Sequence, residues 1–257
     1  MIHPTAIIAP QAKLAPDVSV GPYTVIGPDV EIGAGAILGP HAVVDGHTKL
    51  GAKVQVFQFA SVGAPPQDLK YAGEPTRVEI GDGTILRESV TIHRGTATGG
   101  GLTRIGAQCL VMAYAHVAHD CVLGDRVILA NGVQLAGHVE IESHAILGGL
   151  SAVHQFARIG TSAMLGGGTM ASKDVVPFVH CSGNRDVQLH GINSLGLRRR
   201  GFSDERIRSL KAAYRILFRS GHRLSKAMQE VEANVEPTED VQHLLRFIRE
   251  SERGIHV

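Results

Sequence analysis

The chain has 257 residues, is 44% hydrophobic and carries a formal net charge of +1. Its size allows a full hydrophobic core, and a charge so close to zero gives no overall field that would attract nucleic acid. No segment is apolar over the length of a bilayer, and the first residues lack the basic and apolar regions of a secretory signal. We therefore expect a cytoplasmic protein with no nucleic-acid partner and no integral membrane segment.

The dominant feature of the sequence is an aliphatic residue at every sixth position. Counted from Ile2, this first slot of a six-residue repeat is aliphatic without a break to Val62, and it returns between residues 80 and 92. After a slip of one residue it runs from Ile105 to Leu165. A repeat of this regularity predicts a solenoid over the first two-thirds of the chain.

The other slots of the repeat indicate which solenoid forms. The fifth slot is small or β-branched almost throughout, and it lies two residues before the next first slot, so both side chains point to one face of a strand. Three such strands close a triangular coil of eighteen residues, and coils stack about 4.8 Å apart. The second slot is often glycine, which we interpret as the tight corner. The prediction is a mainly β protein, a parallel β-helix of about ten coils.

Two insertions interrupt the count. Residues 66–79 lie between repeats and are predicted to form a loop outside the coil, and a glycine-rich stretch at residues 96–103 carries the one-residue slip. Insertions in a repeat protein map to one face, which is often the binding face. Three cysteines, Cys109, Cys121 and Cys181, fit neither a disulfide framework nor a metal motif.

The pattern changes near residue 185. Apolar residues from Ile207 to Phe218 have helical spacing, and Ser203, Ser225 and Thr238 are candidate N-caps of three helices. The predicted division is therefore a β-helix over residues 1–185 and a small helical domain over residues 186–257. Ten Lys and Arg residues lie between residues 198 and 226 against two acidic ones, which is either a solvated helix face or a dock for an acidic partner.

The eighteen-residue period places several polar residues on one corner of three successive coils. His119, Gly137 and Gln155 are eighteen residues apart, and the remaining members of this cluster lie beside them: Asp120, His138 and His154, with His116 on the strand that enters the corner. Surface histidines are usually only solvated, but a stacked group indicates a site. Neutral imidazoles could ligate zinc, or one imidazole could act as a general base beside a carboxylate.

Six segments favour the general base. They are AYAHVAHDC (residues 113–121), QDLKYAGEPT (67–76), TIHRGT (91–96), LAGHV (135–139), VHQF (153–156) and RRRGFS (198–203). In combination the chain resembles the bacterial acyl-carrier-protein:UDP-N-acetylglucosamine O-acyltransferases, the enzymes that begin lipid A synthesis. The resemblance implies a left-handed coil, a homotrimer with active sites between neighbouring subunits, and no cofactor or metal.

The resemblance also implies a role for each matching residue. His119 would be the general base for the sugar 3-hydroxyl, Asp120 its partner, and the backbone N–H of Gly137 the donor to the oxyanion. Substrate contacts would come from the following residues: Gln67, Asp68, Lys70, His93, His116, His138, His154, Gln155, Asn193, Arg199 and Arg200. His93 is expected to join the site only across a subunit boundary. Leu195 departs from the family pattern, which has an acidic residue there.

Donor recognition can also be predicted from this resemblance. The residue that limits acyl-chain length corresponds to Gly167, whose lack of a side chain leaves the groove open for a long chain. Acyl carrier protein is acidic, and a row of basic residues on one predicted helix would bind it in a salt-dependent way: Arg206, Arg208, Lys211, Arg215 and Arg219.

Three other functions fit parts of the sequence. Another hexapeptide transferase would use a coenzyme A thioester, and donor choice would distinguish it. A zinc β-helix hydratase would need three histidines shared between subunits, and metal analysis would detect it. An ice-binding scaffold would need flat columns of threonine, and the sequence has none.

Overall fold

A computed structural model describes residues 1–184 and 186–257. Three long parallel sheets wind around one apolar core as a β-helix, and four α-helices follow at the C-terminal end. The predicted domain boundary at residue 185 falls on the one residue outside the described part. Within the described part, no helix is both long and apolar enough to cross a membrane.

The strands are numbered in chain order and belong alternately to the three sheets. The first sheet contains β1 (Ile7–Ile8), β4 (Val25–Ile26), β7 (Val43–Val44), β10 (Ser61–Ala64), β13 (Thr91–His93), β16 (His116–Val117), β19 (Gln134–Leu135), β22 (Ala152–Val153) and β25 (Met170–Ala171). The second contains β2 (Lys13–Leu14), β5 (Glu31–Ile32), β8 (His47–Leu50), β11 (Arg77–Ile80), β14 (Leu102–Ile105), β17 (Val122–Leu123), β20 (Glu140–Ile141) and β23 (Arg158–Ile159). The third contains β3 (Ser19–Val20), β6 (Ile37–Leu38), β9 (Gln55–Val56), β12 (Ile85–Leu86), β15 (Leu110–Val111), β18 (Ile128–Leu129), β21 (Ile146–Leu147), β24 (Met164–Leu165), β26 (Val179–Ser182) and β27 (Gln188–Ile192).

The core is built from the two inward slots of the repeat. Leu38, Leu86, Leu129 and Leu147 of the first slot are fully buried, and fifth-slot residues such as Ala145 stack between them. Because each coil repeats the same two inward slots, side chains of corresponding slots pack on one another along the whole solenoid. This packing confirms the predicted coil of eighteen residues wherever no insertion intervenes.

The tight corner is not where the second-slot glycines predicted it. Left-handed backbone occurs in the fourth slot, for example at Tyr23 and His41, each with φ of 57°. The second-slot glycines have a different cause, because a Cβ on Gly33 would lie 2.7 Å from the carbonyl carbon of Gly51 in the next coil. Glycine is needed there for close stacking of backbones rather than for a special φ.

Both insertions leave the coil intact. The loop predicted at residues 66–79 is shorter, because Arg77–Ile80 form β11, whose alternating side chains bury Val78 and Ile80. The other insertion, here called the glycine-rich loop (residues 94–101), connects β13 to β14 and includes a short 3-10 helix, Ala97–Gly99. Its extra residues make the circuit from Ile92 to Val117 longer than eighteen, since these two residues are direct neighbours in the first sheet.

The C-terminal region begins with a hairpin and continues as helices. Strand β27 pairs antiparallel with β26, and the helices are α1 (Ser194–Arg199), α2 (Asp204–Arg219), α3 (Leu224–Asn234) and α4 (Glu239–Arg249). Ser203 and Thr238 are N-caps as predicted. Ser225 is not, because α3 begins one residue earlier, after Arg223, which makes no side-chain capping bond.

Candidate active site

His119 and Asp120 form a hydrogen-bonded pair at the corner between the first and second sheets. His119 Nδ1 lies 2.8 Å from Asp120 Oδ2, and the Asp120 side chain is 1% exposed. Neighbouring residues on a strand would point to opposite faces, but Asp120 has a φ of 59°, which turns its carboxylate back toward the imidazole. The carboxylate accepts a hydrogen bond from Nδ1–H, so the neutral ring keeps its Nε2 lone pair free to accept a proton.

Asp120 is itself held by residues that sequence reasoning missed. Thr96 donates its backbone N–H to Oδ1 at 2.9 Å and its hydroxyl to Oδ2 at 2.7 Å. The hydroxyl of Thr103 accepts the backbone N–H of Asp120 at 2.8 Å. Both threonines flank the glycine-rich slip in the sequence, which was the only signal that could have found them.

The residues eighteen positions on stack directly over this pair. The N–H of His138 donates to the carbonyl oxygen of His119 at 3.0 Å, and the N–H of Phe156 donates to that of Gly137 at 3.2 Å. A Cβ on Gly137 would lie 2.5 Å from His119 Cε1, so only glycine leaves room for the imidazole. His138 Nε2 is 3.7 Å from Asp120 Oδ2. The predicted vertical alignment of positions 119, 137 and 155 follows from this register.

The N–H of Gly137 is available to a ligand, since it donates to no backbone or side-chain acceptor in the described part of the chain. The same third slot of the repeat is proline in six of the first seven coil corners: Pro4, Pro10, Pro16, Pro22, Pro28 and Pro40. The fold therefore does not need a donor in this slot. Where the residue is not proline, its N–H can point to a bound group.

His93 joins the cluster within its own chain, so the expectation that it could join only across a subunit boundary is wrong. Its ring centroid is 4.9 Å from that of His116, and β13 and β16 are adjacent strands. Counting in steps of eighteen residues placed His93 on a different corner, because the glycine-rich loop lengthens the coil between β13 and β16. His116 Nδ1 lies 2.8 Å from the hydroxyl of Thr91.

Burial keeps these imidazoles uncharged. It lowers the pKa of His93 to about 4, with the charges of His116 and His119 as smaller causes. Burial likewise lowers the pKa of His116 and of His138, although the carboxylate of Asp120 opposes it at His138. At neutral pH the rings of His93, His116 and His138 are therefore polar but uncharged.

The loop between β10 and β11 brings the predicted sugar-binding residues toward this corner. Asp68 accepts the N–H of Lys70 at 2.9 Å in a tight turn, and its charge is among those that act on the pKa of His138. Gln67 and Lys70 are exposed at the loop surface. Arg94 Nε donates to the hydroxyl of Tyr71 at 3.0 Å and so ties the loop to the coil.

His154 and Gln155 form the next level of the same corner. Both are exposed, and His154 Nδ1 lies 3.2 Å from the carbonyl oxygen of Gln155. Next to them the ring of Phe156 stacks on His138 with 4.5 Å between centroids. Sequence reasoning missed Phe156, although it occupies the same fourth slot as Asp120 and His138.

The predicted nucleotide-binding residues lie on a different corner of the same chain. Asn193 caps α1 and donates to the carbonyl oxygen of Ser162 at 3.1 Å, and Arg200 donates to the Ser162 hydroxyl. Ser162 is between the second and third sheets, whereas His119 is between the first and second. Arg199 is exposed, and so is Leu195. One chain alone does not bring the two groups together.

Gly167 and the basic helix also have defined places. Gly167 is exposed at the corner between the third and first sheets, where a Cβ would be 3.3 Å from the Gly149 carbonyl oxygen. On α2, Arg206 forms a bidentate pair with Asp240, and Arg219 donates to the carbonyl oxygen of Leu189. These two arginines hold the helical domain together, so they are not simply part of an open basic row as predicted.

A metal could be held only by part of this cluster. His119, Asp120 and His138 offer ligand atoms within 4.8 Å of one another. The same His119 Nδ1 and Asp120 Oδ2 are already hydrogen-bonded, however, and Thr96 donates to both carboxylate oxygens. This arrangement fits a general base with an oriented carboxylate better than a set of vacant ligands.

Comparisons with known proteins agree on one family. The family described as "Udp N-acetylglucosamine O-acyltransferase; Domain 2" matches residues 174–256, and "Bacterial transferase hexapeptide (six repeats)" matches residues 11–46 and 102–137. A relative from Thiobacillus denitrificans, named acyl-[acyl-carrier-protein]–UDP-N-acetylglucosamine O-acyltransferase, is 52% identical over 254 residues, which are 99% of this chain and 98% of the relative. The chain belongs to this family.

Solved structures support the same assignment. The chain is similar to LpxA from Acinetobacter baumannii, with a TM-score of 0.96 and 46% identity over 100% of this chain and 99% of that one. An Arabidopsis UDP-N-acetylglucosamine acyltransferase has a TM-score of 0.88 and 36% identity over the full length of both chains. The predicted left-handed β-helix with C-terminal helices is thereby confirmed for this member of the acyltransferase family.

Proposed function

We propose that this chain transfers a 3-hydroxyacyl group from acyl carrier protein to the 3-hydroxyl of UDP-N-acetylglucosamine, the first step of lipid A synthesis. The observation that carries the proposal is the His119–Asp120 pair directly under the free N–H of Gly137, in a chain that belongs to this acyltransferase family. The pair supplies a base, and the amide supplies a donor for the charge that develops in acyl transfer.

The reaction follows from these groups. His119 Nε2 takes the proton of the sugar 3-hydroxyl, whose oxygen attacks the thioester carbonyl carbon and forms a C–O bond. Gly137 N–H donates to the resulting oxyanion, and Asp120 stabilises the imidazolium. Collapse of the intermediate breaks the C–S bond, and the imidazolium gives its proton to the leaving thiolate. The products are the O-acyl sugar nucleotide and the free thiol of the carrier.

The active unit is a homotrimer in this proposal. The corner between the third and first sheets carries large exposed apolar side chains in one column, with exposures of 57% at Tyr23, 61% at Phe59, 69% at Tyr114 and 72% at Leu150. An exposed apolar column of this length indicates a surface that another protein chain covers. Three such corners meeting at a three-fold axis would cover it in a closed, symmetric assembly.

The outer faces of the sheets support the same arrangement. The outward residues of the second sheet alternate in charge along neighbouring strands: Lys13, Glu31, Lys49, Glu79 and Arg104. Those of the third sheet are mostly aliphatic: Ile37, Ile85, Leu110, Ile128 and Ile146. The second sheet then faces solvent, and the first and third sheets face neighbouring copies.

This geometry joins the two halves of the site. With the second sheet outward, the first–second corner of one copy lies beside the second–third corner of the next. His119 of one chain would then share a substrate with Asn193, Arg199 and Arg200 of its neighbour. The exposed loop residues Gln67 and Lys70 and the half-buried Asp68 would contact the sugar, with His93, His116, His138, His154 and Gln155 around it.

Three finer assignments accompany the proposal. Gly167 has no side chain to block the acyl groove, so the enzyme prefers a donor with a long acyl group. Lys211 and Arg215, which point to solvent on α2, are the best candidates for docking acyl carrier protein. The cytoplasm is the proposed compartment, supported by Cys109, Cys121 and Cys181, which are buried free thiols.

An acyl-transfer assay tests the function. Purified protein would be given UDP-N-acetylglucosamine and 3-hydroxyacyl carrier proteins of several chain lengths, with the product detected by mass. We expect ester formation with the carrier protein as donor and little with free coenzyme A thioesters. His119→Ala should lower the rate by about 10²–10⁴-fold while the protein remains a trimer by light scattering. Near-normal turnover of that variant would exclude His119 as the base.

A further inference from the structure

The backbone of the glycine-rich loop approaches the carboxylate of Asp120 closely. A Cβ on Gly99 would overlap the carboxyl group, and a Cβ on Gly95 would lie 2.7 Å from Oδ1. Neither residue has the positive φ that would by itself require glycine. The glycines therefore serve close approach of the loop backbone to this carboxylate, and any larger residue would displace it.

Thr96 supplies the directed contacts between this loop and the carboxylate. It is 4% exposed, and its backbone and hydroxyl donate to different oxygens of the same carboxylate. The hydroxyl also accepts the N–H of Gly99 at 3.1 Å, which closes the 3-10 turn. One side chain thus fixes both the loop conformation and the plane of the Asp120 carboxyl group.

The consequence concerns the proton on His119. Oδ2 of Asp120 receives the Thr96 hydroxyl and lies 2.8 Å from His119 Nδ1. If the carboxyl group could rotate, Oδ2 would leave the ring, and the neutral imidazole would no longer be confined to the form protonated at Nδ1. In the other neutral form, which is protonated at Nε2, that nitrogen has no free lone pair for the proton of the sugar hydroxyl. His119 in this form cannot act as the base.

We propose that Thr96 is a positioning residue for acyl transfer: through Asp120 it holds His119 in the tautomer that leaves Nε2 free. The proposal deepens the function proposed above and rests on His119 being the base. Because Thr96 is buried and acts only through Asp120 in this proposal, loss of its hydroxyl should lower kcat and leave KM unchanged. Misplacement of a catalytic group on this scale lowers rates by up to about 100-fold.

The test compares Thr96→Val with Thr96→Ser in the full-length protein. Valine keeps the shape and the backbone N–H but removes the hydroxyl, whereas serine keeps both donors. We expect kcat to fall about 10- to 100-fold in Thr96→Val with KM unchanged, and to recover in Thr96→Ser. Thr98→Val is the control for the loop: the exposed Thr98 hydroxyl lies 3.3 Å from that of Thr96 but does not contact Asp120, so its loss should leave kcat close to the wild-type value.

A second readout does not depend on activity. Nitrogen chemical shifts of labelled histidines report the imidazole tautomer, with the His119 signal assigned by its loss in His119→Gln. We expect the Nδ1–H form in the wild type and a mixture in Thr96→Val. Gly99→Ala, which pushes the carboxylate aside while keeping Thr96, should give the same mixture if Thr96→Val does not fold.

Three results would overturn the inference. They are wild-type kcat in Thr96→Val, failure of Thr96→Ser to recover activity, and a loss of kcat with no change in the His119 tautomer. The last would mean that the hydroxyl acts only on loop stability. If the wild type does not acylate UDP-N-acetylglucosamine, the proposed function fails, and the tautomer measurement still decides whether Thr96 positions the pair.

Discussion

At the scale of single residues, the backbone angle of Asp120 decides which groups the site contains. Its left-handed φ breaks the alternation of a strand and puts two consecutive side chains, those of His119 and Asp120, on one side. Counting by eighteen was sufficient to place Gly137 over His119, because no insertion separates the two coils. It could not find Thr96, because the contact depends on the conformation of an irregular loop rather than on the repeat.

The buried histidine His93 gives a pH prediction. Its pKa of about 4 lies below the value of about 6.5 for an unfolded chain, so between these pH values the unfolded state binds more protons. The free energy of unfolding should therefore fall as pH is lowered from about 6.5 to 4, with His93 responsible for at most about 3 kcal/mol. Urea titrations at several pH values would show a shallower dependence for His93→Gln than for the exposed-site control His3→Gln. Equal slopes for the two variants would contradict this origin.

At the scale of elements, the repeat predicts the strands but not the backbone geometry between them. First- and fifth-slot side chains alternate with exposed ones, and that alternation alone indicates short strands. The left-handed corner carries almost any residue, among them Tyr23, Lys53 and Ser89, so no residue type marks it. The sequence also did not predict strand β11. This strand directly follows a loop, and its first residues lie before the six-residue repeat resumes.

Close stacking of coils predicts a large cost for a single methyl group. In Gly33→Ala the new Cβ would lie 2.7 Å from Gly51 and 2.8 Å from Ala52, both backbone atoms of the next coil. Overpacking of this kind should lower the free energy of unfolding by about 1–3 kcal/mol. Gly149→Ala is the matched control, because its nearest neighbour, the Asn131 carbonyl oxygen, is 3.3 Å away. Denaturant midpoints should fall clearly more for Gly33→Ala, and equal midpoints would refute the stacking explanation.

At the scale of the whole molecule, the separation of His119 and Arg200 onto different corners is the fact that the proposed function has to explain. The sequence suggested both residues through the family resemblance, but no spacing rule indicates which corner of which chain each occupies. The outward side chains support the proposed arrangement, because a charged second sheet favours solvent and an exposed apolar corner favours a symmetry axis. In that ring every site needs two chains.

Activity in mixed trimers tests this claim most directly. His119→Ala and Arg200→Ala would each be nearly inactive alone, and the two chains would be unfolded together and refolded as a mixture. If each site takes His119 from one chain and Arg200 from the next, every mixed trimer contains one intact site, and an equal mixture should recover about a quarter of wild-type activity. If both residues serve a site within one chain, no trimer contains an intact site and the mixture would stay as inactive as its parents, which would contradict the account.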